Sequence, residues 1–235
     1  MSKTIAIITA GGTGKRMKST IYKQFMEIEG IPILALTLKH FEQADFIDGI
    51  IVTSPAESLI QTAEEVIDRY HISKVLKIVE GGSMRQHSVY NAIRALPKDT
   101  GYVFIHDGVR PFLSGDFLES LYKSVQENKA VIPGIKPVET LKAIDNHQVK
   151  ETINRDKTIL VQTPQVFEAE LLISAYNRVD LINQTFTDDA AIVETAGTAE
   201  LIWIEGLPYN LKITTPEDLE IAHFLYDKYL KKELI

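Results

Sequence analysis

Near its start the chain carries a short β-branched apolar run, Ile5-Ala6-Ile7-Ile8, which gives way to Gly11, Gly12 and Gly14 and then to Lys15, Arg16, Lys18 and Lys23. Such a run suits a strand buried on both faces. Similar runs recur at Gly49–Thr53 (GIIVT), Leu76–Val79 and Tyr102–His106 (YVFIH). Between them lie segments with helical character: Ile31–Phe41, opened by Pro32 and apolar at Ile33, Leu34, Leu36, Leu38 and Phe41, then Glu57–Tyr70 and Gln86–Leu96. Strands alternating with helices predict βαβ units, hence an α/β fold with a mostly parallel sheet covered on both faces. Ligands in such sheets sit at the carboxyl ends of the strands. That rule places Gly11–Lys23, Gly81–Ser88 and His106–Phe112 on one rim.

The second half is less regular. It predicts a helix over Gly115–Asn128, a strand over Ala130–Pro133, a short strand at Leu160–Gln162, helices over Glu168–Asn177 and Asp188–Thr195, and a strand at Glu200–Glu205. Pro216 opens a last helix, Glu217–Leu230, with Thr215 as its N-cap. Val138–Ile153 alternates in places and turns at Asp145-Asn146, which is a hairpin signal. It reads as a projecting arm that packs on another subunit; a hairpin folded back on its own domain is the alternative. With no linker or repeat, the chain reads as one domain, 1–235, with the arm at about 136–157.

The 235 residues are 45% hydrophobic and 24% charged, an ordinary globular mixture. The net charge of −7 argues against nonspecific nucleic-acid binding. Without cysteine there is neither a disulfide framework nor a thiolate metal site. No signal-peptide core precedes the first strand, and no apolar stretch approaches the ~20 residues of a membrane span. The expectation is a cytoplasmic protein with no membrane or nucleic-acid partner.

The first loop is neither a Walker A motif nor a full G-x-G-x-x-G. Its glycines still allow close backbone approach, its N–H groups can converge on an anion, and the basic side chains add charge. A triphosphate is the favoured ligand; a βα turn with glycines for packing and solvated lysines remains the bland alternative. Asp107, at a strand's carboxyl end, is placed to hold Mg²⁺ together with phosphates, and Arg110 to grip a second phosphate. An Asp–Arg pair that merely shapes the loop is the alternative. Gly81-Gly82 and Ser88 form a second turn able to approach a base, with capping and packing the alternative for Ser88. Lys212, between Leu211 and Ile213, is a candidate phosphate ligand, with an ordinary solvated lysine as the alternative. No nucleophile motif is present. Cations, glycines and few carboxylates suit phosphoryl chemistry, where positioning and charge stabilisation dominate.

In order, the chain carries A-G-G-x-G-x-R-M, K-Q-F, G-G-x-x-R-x-x-S-V, H-D-x-x-R-P-F, E-T-L-K, Q-T-P-Q-x-F, T-D-D and N-x-K-I-T-x-P-E-D-L. From Ile5 to about Leu219 it resembles the 2-C-methyl-D-erythritol 4-phosphate cytidylyltransferase (IspD) family; ribitol-5-phosphate cytidylyltransferases share most of these motifs. The resemblance implies a Rossmann-like, three-layer nucleotidyltransferase fold. It implies a Mg²⁺-dependent reaction of CTP with methylerythritol phosphate, in non-mevalonate isoprenoid biosynthesis, that releases pyrophosphate. It also implies a homodimer joined through the arm. Arg16, Lys23 and Lys212 are implied as catalytic. Ala10, Gly11, Gly12, Gly14, Gly81, Gly82 and Ser88 would bind the nucleotide. Asp107, Arg110, Thr163, Thr187 and Asp188 would bind the acceptor, joined by Thr140 and Arg155 from the arm, with Asp107 also serving the metal. Two departures stand out: Tyr22 where proline is usual before Lys-Gln, and Glu139 where aspartate is usual before the arm threonine.

Overall fold

The computed structural model describes residues 2–12 and 22–231. Gly14 and Arg16 lie outside the described residues. The first half alternates as the apolar pattern predicts: β1 (Lys3–Thr9), α1 (Ile33–Gln43), β4 (Gly49–Ser54), β5 (Val75–Glu80), α3 (Arg85–Ile93) and β6 (Thr100–Asp107). Strands β1, β4, β5 and β6 pair in parallel in the order β6-β1-β4-β5. Five consecutive residues of β1 and all six of β4 are buried.

Three segments depart from the sequence-based expectations. Ahead of α1, where the apolar pattern predicts no strand, β2 (Glu27–Ile28) and β3 (Ile31–Pro32) form a hairpin with a two-residue turn. Its turn residues, Glu29 and Gly30, both have positive φ, 50° and 76°, which a primed turn requires. The helix expected over Glu57–Tyr70 is broken into a 3₁₀ turn at Ala56–Ser58, α2 (Leu59–Gln61) and a π-helical stretch at Thr62–Asp68. Buried Thr62 donates its hydroxyl to the Ser58 carbonyl at 2.9 Å and meets the Ser54 hydroxyl at 2.8 Å, bonds that compete with the regular ladder.

The third departure lies in the second half, which runs α4 (Gly115–Asn128), β7 (Ala130–Ile135), β8 (Leu141–Asp145), β9 (Gln148–Ile153), β10 (Leu160–Val161), β11 (Gln165–Glu168), α5 (Ala169–Arg178), α6 (Asp189–Ala196), β12 (Ile202–Glu205) and α7 (Pro216–Tyr229). Strand β11, which the apolar pattern did not predict, runs antiparallel between β6 and β7. Strands β10 and β12 also pair with β7, completing an eight-stranded sheet.

Two apolar clusters cover the sheet. Ala6, Ile8, Leu34, Leu38, Phe41, Phe104 and Leu121 belong to one, and Ile5, Ile7, Val89, Val103, Leu172 and Val193 to the other. The alternation of Ile5 and Ile7 against Ala6 and Ile8 is the period-2 pattern of a strand with both faces buried. A third cluster joins the outer face of α1 (Ile33, Leu36) to Phe112, Ile213 and Ala222 of α7. Helix α7 begins at the expected place, with a reciprocal Thr215–Asp218 capping box and Pro216 in its first turn.

Strands β8 and β9 form a separate two-stranded sheet whose turn, Asn146-His147, has positive φ at both positions. All of β9 is exposed, as are three of the five residues of β8.

Candidate active site

The carboxyl ends of β1, β4, β5 and β6 converge as expected. The Ala10 N–H donates to the Thr53 carbonyl at 3.0 Å, and the Gly81 N–H to the Ser54 carbonyl at 2.8 Å. The two glycine turns then meet back to back. A Cβ on Gly81 would lie 3.3 Å from Gly11 Cα, and one on Gly11 3.3 Å from Ser88 Oγ. Ser88 holds the second turn: its hydroxyl accepts from the Gly82 N–H at 3.0 Å and donates to the Met84 carbonyl at 3.2 Å.

Two cavities open on this rim. One, of about 370 Å³, is lined by Ala10, Gly11, Gly12, Lys23, Gly82 and Ser88, among others. The second, of about 320 Å³, is lined by Arg110, Gln162, Thr163, Gln165, Thr187 and Asp188, among others. Arg85, Asp107 and Lys212 line both. Of the sequence-derived residues, Ala10, Gly11, Gly12, Gly82 and Ser88 line the first hollow, Arg110, Thr163, Thr187 and Asp188 the second, and Asp107 the wall they share; Gly81 lines neither. Thr140 and Arg155 line neither; they lie on the exposed arm, where the Arg155 guanidinium donates to the Val138 carbonyl. Tyr22 donates its hydroxyl to Glu57, tying the chain ahead of Lys23 to the segment after β4.

Asp107 is the electrostatic centre of the wall. Its Oδ2 lies 2.8 Å from Lys212 Nζ and 3.4 Å from Arg110 Nε, and its Oδ1 lies 3.4 Å from Arg85 Nε. Burial alone would raise its pKa. The surrounding Arg85, Lys212 and Arg110 outweigh this and hold it well below the usual carboxylate range. The Asp107–Arg110 pair foreseen as a loop-shaping contact exists, but as one of three.

Arg85 carried no role in the sequence reading beyond its place in a motif. Its Nη1 lies 2.8 Å from Asp189 Oδ2, and Tyr176 donates its hydroxyl to Asp189 Oδ1 at 2.6 Å. Asp189 is fully buried, whereas its neighbour Asp188 caps α6, accepting from the Ala191 N–H at 2.9 Å and from Gln165 Nε2 at 2.7 Å. A signal was available: Asp189 precedes the buried Ile192 and Val193 by three and four positions, the spacing of one helix face.

His106 is bonded at both ring nitrogens. Its Nε2 faces the Arg110 carbonyl at 3.0 Å, which can only accept, so Nε2 carries the proton. Nδ1 then accepts from the Thr163 hydroxyl at 2.9 Å, and that hydroxyl accepts from the Asp107 N–H at 3.1 Å. Burial pushes the His106 pKa down to about 3. Thr163 therefore braces β6 as well as lining the second cavity. Asn210 ties the Lys212 segment to the same place, donating to the Thr163 carbonyl and accepting from Arg110 Nη1, both at 2.8 Å.

Among the described residues no three His, Cys, Asp or Glu side chains converge. A cage made by the protein alone is not what this donor set offers. The carboxylate of Asp107, in the wall that the two cavities share, fits Mg²⁺ of the kind bound mainly through substrate phosphates and water. No helix among the described residues is long and apolar enough to cross a membrane.

The family model described as IspD, 2-C-methyl-D-erythritol 4-phosphate cytidylyltransferase, matches residues 4–228. A protein of that name from Clostridium botulinum (strain 657 / Type Ba4) is 40% identical over 229 residues, spanning 97% of this chain and 99% of its own. One from Alkaliphilus oremlandii is 42% identical over 94% of each chain. The crystal structure of 4-diphosphocytidyl-2C-methyl-D-erythritol synthase from Anaerococcus prevotii superposes with a TM-score of 0.84 at 30% identity, over 96% of this chain and 99% of that one. Motif order, sheet topology and full-length likeness agree, and the chain belongs to the IspD family of 2-C-methyl-D-erythritol 4-phosphate cytidylyltransferases.

Proposed function

We propose that this protein joins CTP to 2-C-methyl-D-erythritol 4-phosphate, giving 4-CDP-2-C-methyl-D-erythritol and pyrophosphate, as a step of non-mevalonate isoprenoid biosynthesis. The observation that carries this reading is the pair of hollows meeting at Arg85, Asp107 and Lys212. A transferase needs two substrates held side by side with cations at the junction.

The nucleotide occupies the glycine-lined hollow, with Ala10, Gly11, Gly12, Gly14, Gly81 and Gly82 offering backbone close to the cytidine. Ser88 serves it by holding the second turn. Arg16, Lys23 and Lys212 carry the triphosphate charge. The acceptor's phosphate lies on the other side of the wall, toward Arg110, with Thr163, Thr187 and Asp188 around the polyol. One of its oxygens attacks the α-phosphorus; the new P–O bond forms as the bond to the β-phosphate breaks, and pyrophosphate leaves with that electron pair. A phosphate monoester is largely dianionic at neutral pH, its second pKa being about 6. No base is required, in keeping with a neutral, fully bonded His106. Mg²⁺, which Asp107 would hold with the nucleotide's phosphates, supplies charge neutralisation when bound.

The arm residues Thr140 and Arg155 reach the acceptor of a neighbouring subunit, making the enzyme a homodimer. Supporting this reading, Ile144 and Val149 pair across the arm at 70% and 63% exposure, an apolar surface that a second subunit would cover. The chain works as one domain with the arm projecting from it. The cytoplasm is the compartment where it meets CTP.

The test is pyrophosphate release from CTP and Mg²⁺, in parallel with methylerythritol 4-phosphate and ribitol 5-phosphate. Release with the first alone is expected. Release with the second alone keeps the chemistry and moves the acceptor. CTP binding with no release from either would overturn the transferase reading.

A further inference from the structure

We propose that Asp189 is a positioning residue of the active site. It orients Arg85, and through Arg85 it sets the face that Asp107 turns to the two cavities. The inference rests on the transferase reading only for its kinetic readout.

An alternating chain of charges links the core to the wall. It starts at the Tyr176 hydroxyl, 2.6 Å from Asp189 Oδ1, and crosses from Asp189 Oδ2 to Arg85 Nη1 at 2.8 Å. It continues from Arg85 Nε to Asp107 Oδ1 at 3.4 Å, and from Asp107 Oδ2 to Lys212 Nζ at 2.8 Å. Asp189 has no exposure at all, so it touches neither cavity and acts only through its neighbours. It stands in the first turn of α6, where the helix dipole favours an anion. A guanidinium is planar and rigid, so an ion pair at one nitrogen constrains where the others point. With Nη1 anchored at 2.8 Å, the looser 3.4 Å contact leaves Asp107 free to keep its short bond to Lys212.

Asp189 also sets the charge of the junction. Arg85, Arg110 and Lys212 surround a single carboxylate at the wall. Burial works against the Arg85 cation, and the Asp189 and Asp107 carboxylates more than compensate. With Asp189 neutral, Arg85 has only Asp107 to pair with. It would draw that carboxylate away from Lys212 and change how both groups meet the incoming phosphates.

The test compares Asp189→Asn, Asp189→Glu and Tyr176→Phe with the wild-type protein. For folded Asp189→Asn, kcat is expected to fall ~100-fold while the KM for CTP changes by less than about threefold. Asp189→Glu should recover a large part of kcat. Tyr176→Phe, which removes one hydroxyl from the chain of contacts, should lower kcat severalfold. The side-chain Nη–H signals of Arg85, the nitrogen that faces Asp189, followed by ¹⁵N NMR, should be protected from exchange in the wild type and exposed in Asp189→Asn. That readout needs no turnover, so it decides the positioning role even if the proposed acceptor is wrong. Turnover within twofold of wild type together with unchanged Arg85 protection in Asp189→Asn would overturn the proposal. If that variant does not fold, an unchanged kcat in Tyr176→Phe would overturn it.

Discussion

Lys212 Nζ sits 2.8 Å from Asp107 Oδ2, bringing a segment that precedes the last helix onto the carboxyl end of a central strand. The pair is held from both sides. Asn210 is bonded to the Thr163 carbonyl and to Arg110, and Ile213 donates its backbone N–H to the Val109 carbonyl at 3.0 Å. A lysine docked on a carboxylate is already oriented when phosphate arrives. Lys212→Met keeps most of the apolar stem and removes the charge. It should lower kcat ~100-fold or more, the scale seen when one transition-state donor is removed. Steady-state kinetics beside a thermal melt checks this; a loss under tenfold with an intact fold would make Lys212 peripheral.

The back-to-back glycine turns make a second prediction. In Gly81→Ala the new methyl would lie 3.3 Å from both Gly11 Cα and Ser88 Oγ, so the two turns must part by a few tenths of an ångström. The nucleotide hollow changes shape while the sheet below it stays paired. The KM for CTP should rise ~10-fold with little change in kcat. Titrating CTP against the variant's thermal midpoint tests the same point without turnover.

Acid should destabilise the fold in two stages. Burial lowers the pKa of His40 to about 4 and that of His106 to about 3, against about 6.5 unfolded. Both are neutral in the fold, so their full contribution is present above pH 6.5. It is lost as pH falls toward the folded values, at up to about 1.4 kcal/mol per pH unit for each histidine. Asp107, held low by its cations, adds a further loss only below its unfolded pKa, near 4. Denaturant unfolding at pH 7.5, 6.0 and 5.0 should show the histidine stage. A His40→Gln variant should be less stable at pH 7.5 and have a shallower slope; an unchanged slope would show that His40 is not responsible.

The arm makes the fourth prediction. Ile144→Asp with Val149→Asp places two charges where the exposed apolar pair now stands. Sedimentation should show a dimer for wild type and a monomer for the variant. If Thr140 and Arg155 act across subunits, turnover should fall with dimer content and rise with protein concentration. A dimeric variant, or a fully active monomer, would remove the arm from the site.

The apolar pattern carried most of the fold and the glycine turns, because βαβ units announce themselves locally. Strand β11 escaped: it is four residues long, follows Pro164, and reads as part of a polar motif (Gln162–Gln165). Its identity as a strand depends on β6 and β7, which flank it in space. The helix at Glu57–Tyr70 broke up for a similar reason, since Thr62 bonds to Ser54, a residue outside the helix. Of the residues that line the two cavities, Gly11, Gly12, Gly82, Lys23, Asp107, Arg110 and Lys212 stand out in the sequence by residue type and motif. Arg85 and Asp189 were not singled out. Each looks like an ordinary charge near a helix start; the spacing of Asp189 to Ile192 and Val193 points to its burial, but its pairing with Arg85 across α3 and α6 is visible only in the structure.

The reversed direction of β11 has a consequence for specificity. Because it runs against β6, its amino end, next to Thr163 and Gln165, meets the rim that its neighbours reach with their carboxyl ends. Much of the acceptor hollow is therefore written in one later stretch, Val161 to Asp188, whereas the glycine turns of the nucleotide hollow come from the first 88 residues. On the proposed assignment, the preference for one alcohol phosphate is set by that later stretch and can change without touching the glycine turns.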